Sequence, residues 1–196
     1  MQCVPGTYAF IPSVTLSPGD SIAFTTVVVT STKNAYFFTW NVESGVNYQC
    51  YCGLDGIPKL RGWASYNNVF SLGGYNNLRN GHLPTGKKFT VTMKFDDTTY
   101  DPIPDLSDSN NVNMGTILKD QSATLCVGDK SITAFNKNWK FRLYEFWITD
   151  ANGNQKLDLV PVRLGKNGYL YDIVSKKLYG NSGTEADFVL GPDITS

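Results

Sequence analysis

The chain has 196 residues, and its 17 basic and 17 acidic side chains cancel, so no global field steers it toward nucleic acid or an anionic membrane. It is long enough to bury a core without disulfide staples, and no apolar run approaches the roughly eighteen residues of a membrane-spanning helix. Charged residues make up only 17% and aromatics reach 13%, a balance that suits strands joined by polar turns better than helices.

In chain order, residues 1–12 carry two prolines and no charge, and read as an attachment arm ahead of one β-sandwich domain over 13–196. Met1 to Gly6 has neither the basic start nor the apolar stretch of a secretory signal, so a chain beginning at its natural start is expected to stay in the cytoplasm that made it. Ser17-Pro18-Gly19-Asp20 is a turn that opens a strand over Ser21 to Thr30. Ala35 to Val42 and Val46 to Cys52 read as a hairpin joined by Glu43-Ser44-Gly45. Val69 to Leu72, Lys88 to Phe95, Ala123 to Val127 and Ser131 to Ala134 supply further strands, with Phe89, Val91, Met93 and Phe95 alternating toward a core.

In the last quarter, Phe141, Leu143, Glu145 and Trp147 alternate with Arg142, Tyr144, Phe146 and Ile148 along one strand. The strand stops at Thr149-Asp150-Ala151-Asn152-Gly153, where Asp and Asn can bond the local backbone and Gly supplies a positive φ. Gln155 to Val162 returns as its partner. Helical periodicity is almost absent, and closely spaced turn signals predict two packed antiparallel sheets in a single all-β sandwich.

Two constellations could carry chemistry. Arg61 to Asn68 and Gly73 to Asn80 set aromatics among Asn and Gly in loops or edge strands, and Trp63, Tyr66 and Tyr75 with Asn76 and Asn77 form a candidate glycan site. Sugars stack their apolar faces on flat rings while amides bond their hydroxyls, although aromatics also fill sandwich cores. Trp40, Trp139 and Trp147 lie in or beside apolar strands and read as core. The segment from Asp96 to Gly115 holds Asp96, Asp97, Asp101, Asp105 and Asp108, a candidate Ca²⁺ loop whose spacing matches no regular calcium motif.

Catalytic and metal signatures are weak. Glu occurs only at Glu43, Glu145 and Glu185, and Glu145 has Leu143 and Trp147 where a carboxylate-pair hydrolase would place its second acid. His82 stands in a turn without a G-x-S-x-G nucleophile motif. Cys3, Cys50, Cys52 and Cys126 are too scattered for a disulfide framework, and read as reduced, buried thiols.

The pattern Leu159-Val160-Pro161-Val162-Arg163, Gly168, Leu170-Tyr171-Asp172, Leu178-Tyr179, Asn181-Ser182-Gly183-Thr184, Phe188 and Gly191-Pro192 resembles the closing stretch of laminin-G-like, concanavalin A-like domains of phage virion and gut-bacterial surface proteins. The resemblance covers residues 140–194. It departs at Glu185-Ala186-Asp187, where that family carries a small residue or Gly before the aromatic. It implies a concanavalin A-like jelly roll of the kind used to bind glycans or to sit on a particle surface; it does not imply an enzyme, and none is expected here. The expected role is a virion component of a tailed phage (head fibre, capsid decoration or tail-fibre domain) that attaches to a host surface. Its expected partners are copies of itself, a trimer by analogy, and other virion proteins. The alternative is a carbohydrate-binding module of a bacterial surface or secreted protein.

Overall fold

The computed structural model describes residues 1–4, 6–30, 35–41, 49–55, 59–64, 74–77, 85–94, 117–128, 140–183 and 187–189. Among them no helix occurs, and the strands are β1 (Gln2–Cys3), β2 (Tyr8–Leu16), β3 (Ser21–Thr30), β4 (Ala35–Asn41), β5 (Gln49–Asp55), β6 (Lys59–Ala64), β7 (Gly74–Asn77), β8 (Lys88–Lys94), β9 (Gln121–Gly128), β10 (Lys140–Thr149), β11 (Gln155–Leu164), β12 (Asn167–Asp172) and β13 (Lys177–Tyr179). A seven-stranded antiparallel sheet runs β13-β12-β11-β10-β3-β8, with β1 added beside β10, and a six-stranded sheet runs β2-β9-β4-β5-β6-β7. The expected strands over 69–72 and 131–134 lie outside the described residues.

The two sheets meet through aromatic rings. Phe24 on β3 lies 4.9 Å from Phe37 and 6.0 Å from Phe38 on β4, ring centre to ring centre. Phe146 on β10 meets Phe38 edge-on at 5.3 Å, and Phe141 meets Phe37 edge-on at 5.0 Å. Each such ring contributes about 1.5–3 kcal/mol by leaving water, and the edge-on geometry adds roughly 0.5–1.5 kcal/mol per pair. Trp40 is fully buried among them, and its indole Nε1 donates to the carbonyl of Val14 at 3.0 Å. Phe89, Val91 and Met93 of β8 are buried as their alternation predicts.

Strand β10 departs from the simple alternation. Its register against β3 shifts between Leu143 and Glu145, which takes Tyr144 up in a bulge. Phe141, Leu143, Phe146 and Ile148 therefore face the core, while Glu145 and Trp147 move to the outer face with Arg142. Trp147, expected in the core, is instead partly exposed on that outer face, because the bulge inserts one residue and reverses the parity of everything after it.

Residues 1–12 have their described backbone in both sheets. Gln2 and Cys3 pair with Arg142 and Phe141, filling the side of β10 that β11 leaves open, and Ala9 and Ile11 pair with Val127 and Leu125 of β9. Pro12 sits at a register shift between Ile11 and Val14, beside Ser13 at φ 56°. A bulge on an edge strand is where a sheet tolerates proline, so Pro12 interrupts β2 without ending it.

The chain after β13 closes the seam between the sheets. The Asn181 side-chain oxygen accepts from the amides of Tyr8 at 3.1 Å and Gly183 at 3.0 Å, and the Ser182 amide donates to the Tyr8 carbonyl at 2.8 Å. Further on, the Gln2 amide donates to the carbonyl of Val189 at 2.9 Å. A Cβ on residue 183 would lie 1.7 Å from the Gly6 carbonyl oxygen, so only glycine fits there. The Asn181 and Gly183 of the C-terminal pattern thus have a structural reason: they tie β13 to β2.

Candidate functional site

The six-stranded sheet brings most of the candidate glycan residues together. On β6 and β7, Trp63 is the direct cross-strand partner of Tyr75, Gly62 of Asn76 and Arg61 of Asn77. Direct partners share one face of a sheet at the closest spacing two strands allow. Tyr51 on β5 is in turn the partner of Trp63, so three aromatic positions, Tyr51, Trp63 and Tyr75, form one row across β5, β6 and β7. The sequence signal named two of the three, because Tyr51 stands between Cys50 and Cys52 in a stretch that reads as a plain strand. Tyr66 lies outside the described residues, as do Asp96, Asp97, Asp101, Asp105, Asp108, His82 and Trp139. Among the described residues no group of three His, Cys, Asp or Glu is placed to hold a metal ion. Cys3 and Cys126 are buried.

The seven-stranded sheet gathers carboxylates that sequence spacing separates. Trp147 pairs with Asp158 across β10 and β11, which sets Glu145, two residues back on the same face, diagonally from Asp158. Burial raises the Glu145 carboxyl above its ordinary range, the Asp158 charge adds to the rise, and Lys88 opposes it. Lys88 also stands 4.5 Å over the Tyr144 ring. Asp158 is likewise raised, first by burial; a hydrogen bond from Gln155 opposes the rise and Asp172 adds to it. Glu145 therefore does have an acidic neighbour, one supplied by strand pairing rather than by chain spacing. Asp158 is 5% exposed, and its Oδ1 is buried without a hydrogen-bond partner, so this acid is held inside rather than presented to a ligand.

The remaining acids of this region hold turns. Asp150 accepts from the amides of Asn152 and Asn154, both at 2.8 Å, and from the Asn154 side chain at 2.9 Å, and these bonds lower its carboxyl below the usual value. Gly153, at φ 84°, completes that turn as its sequence implied. Asp172 is buried and accepts from the amides of Asp158, Val174 and Ser175 and from the Ser175 hydroxyl. Asp20, 1% exposed, takes the Ser17 amide at 2.8 Å and the Lys156 ammonium at 2.6 Å, pinning the turn before β3 to β11.

The paired positions Tyr51, Trp63 and Tyr75 lie at the β7 end of the six-stranded sheet, and Tyr171 and Leu178 are paired positions on β12 and β13 of the other sheet. No helix among the described residues is long and apolar enough to cross a membrane. No family model matches the chain, and no curated protein or solved structure matches it either.

Proposed function

We propose that this chain is a non-catalytic attachment module of a phage particle, a head-fibre, capsid-decoration or tail-fibre domain, that meets a glycan on the host surface. The observation that carries the glycan reading is the direct pairing of Trp63 with Tyr75, beside Asn76 and Asn77, on the last two described strands of the six-stranded sheet. Two adjacent aromatic positions give a pyranose ring a surface to stack on, and neighbouring amides give its hydroxyls partners. The particle setting is supported by the resemblance over residues 140–194. In that setting the chain works as a homo-oligomer, with other virion proteins as further partners.

A second reading, a carbohydrate-binding module of a bacterial surface or secreted protein, uses the same aromatic pair without the assembly. Light scattering on the purified protein, with a glycan array probed by the same sample, separates the two. A stable oligomer that retains specific sugars supports the particle module, and a monomer that retains them supports the bacterial one. Trp63→Ala is expected to weaken retention by about tenfold or more, the loss of roughly 1.4 kcal/mol of stacking. Unchanged retention by Trp63→Ala, or no sugar bound at all, would overturn the glycan reading.

A further inference from the structure

The alternation that buries Ala9, Ile11, Trp40, Leu125 and Val127 against the other sheet turns their chain neighbours outward, and register joins those neighbours into one row. Phe10 on β2 pairs with Cys126 on β9, Cys126 with Thr39 on β4, and Thr39 with Tyr51 on β5, and the Trp63–Tyr75 pair continues the line. The row therefore crosses all six strands on the outer face, from Phe10 to Tyr75. Asn76, one residue on, pairs with Gly62 in a row of the opposite, inward parity that includes Phe38.

Phe10 and Thr39 are half-buried, and Cys126, 2% exposed, makes the floor between them. Amide positions flank the row: Asn41, partner of Thr124 and Gln49, on one side, and Asn77, partner of Arg61, on the other. Of the positions in the row and its flanks only Arg61 carries charge. Neighbouring strands lie about 4.8 Å apart, close to the length of one unit in an extended sugar chain, so the five steps of the row make a track of about 24 Å. Successive strands also turn by roughly 20–25°, which makes the face a saddle rather than a plane.

We infer, resting on the glycan reading of Trp63 and Tyr75, that this face holds a single neutral, extended polysaccharide chain laid across the strands, its rings following the row from Tyr75 to Phe10 and its hydroxyls meeting the flanking amides. Strand spacing and sparse charge select such a chain, and the saddle disfavours a flat crystalline polymer. A second copy stacked on this face is a poorer fit, because it would take the amides at Asn41, Gln49 and Asn77 out of water. Single-stranded nucleic acid also stacks on aromatic rows, but its phosphates need cations and these rows offer only Arg61.

The test is calorimetric titration of the purified chain with cello- and chito-oligosaccharides of two to six units, at about 50 mM and about 200 mM NaCl, where screening separates charge contacts from stacking. Affinity is expected to rise by about tenfold or more from two units to five and then to level off, alike at both salts, because the track ends there. In proteins that melt with the parent, Phe10→Ala should weaken six-unit binding by about fivefold and leave two-unit binding unchanged, whereas Trp63→Ala should weaken both. The inference is overturned if two units bind as tightly as six, if Phe10→Ala leaves six-unit affinity unchanged, or if affinity falls by about tenfold at the higher salt. In those cases a loss of two-unit binding in Trp63→Ala still supports the reading of the Trp63–Tyr75 pair. Binding of neither series overturns the inference alone, and no sugar retained on the glycan array overturns both. Single-stranded DNA bound in preference to the sugars, or an oligomer that Phe10→Ala disperses, would give the face another occupant and overturn the inference as well.

Discussion

The C-terminal meander β10 to β13 and the β2-β9-β4 part of the six-stranded sheet are built on opposite plans. In the meander each strand pairs with the next, and two of its three turns are held by a buried or turn-bonding acid, Asp150 between β10 and β11 and Asp172 between β12 and β13, while Asn181 fixes the point where the chain leaves for β2. In the six-stranded sheet β9 sits between β2 and β4, strands far from it along the chain, and what fixes the arrangement is the aromatic core beneath. Local hydrogen bonds specify the first plan, whereas burial specifies the second. Pairing distant strands requires loop closure before any contact forms, so the core has to compensate that entropy.

Removing the ring that joins the two plans should have the largest effect. Phe146 lies in the meander yet packs edge-on against Phe38 of the six-stranded sheet and beside Phe24 at 6.3 Å. Phe146→Ala is expected to cost about 3–5 kcal/mol in chemical denaturation, the range for emptying a buried aromatic site. A loss below about 1 kcal/mol would mean that the sheets do not depend on this contact.

Gly183→Ala comes next, because its added Cβ would overlap the Gly6 carbonyl and push the seam apart. The expected cost is about 1–3 kcal/mol, as for other overpacked sites. The meander's own turns should be untouched, so amide exchange should rise at Tyr8 and Ser182 before it rises at Ser175. Simultaneous loss of protection at all three would show that seam and meander open as one unit.

These contrasts also explain what the sequence made legible. The Asp150 to Gly153 turn and the strand over Ser21 to Thr30 are local signals, written in turn residues and alternation, and the structure contains both. Strand β2 was hidden by Pro12, since proline in a run argues against a strand unless a bulge accommodates it. Trp147 reads as core in the sequence and faces outward for a related reason: a one-residue bulge at Tyr144 leaves no mark in composition yet turns every later side chain to the other face. The pairing of Trp63 with Tyr75 lies between those cases. Both residues stood out in the sequence, but their adjacency is a property of register. The proximity of Asp158 to Glu145 was invisible for the same cause, and so was the row from Phe10 to Tyr75.

Acidity offers the finest comparison, within the meander itself, since its carboxylates are shifted in opposite directions. Asp158 and Glu145 have raised folded pKa values, chiefly from burial, so the folded chain holds their protons more tightly than the unfolded chain does. Their contribution favours the fold at acidic pH and is lost as pH rises through the raised values. Asp150 is lowered by hydrogen bonds from Asn154 and Asn152, so its contribution is present above the ordinary carboxylate range and is lost as pH falls through its folded value. Asp158→Asn should therefore flatten the decline in stability on the alkaline side of the carboxylate range, while Asp150→Asn should flatten the decline on the acid side. Urea denaturation from about pH 3 to about pH 8 reads both slopes, because stability changes with pH only where the folded and unfolded chains bind different numbers of protons. If Asp158→Asn keeps the parent's slope, the buried Oδ1 is not the source of strain; if it flattens the slope, strand pairing has forced an acid inside that neither neighbouring turn needs.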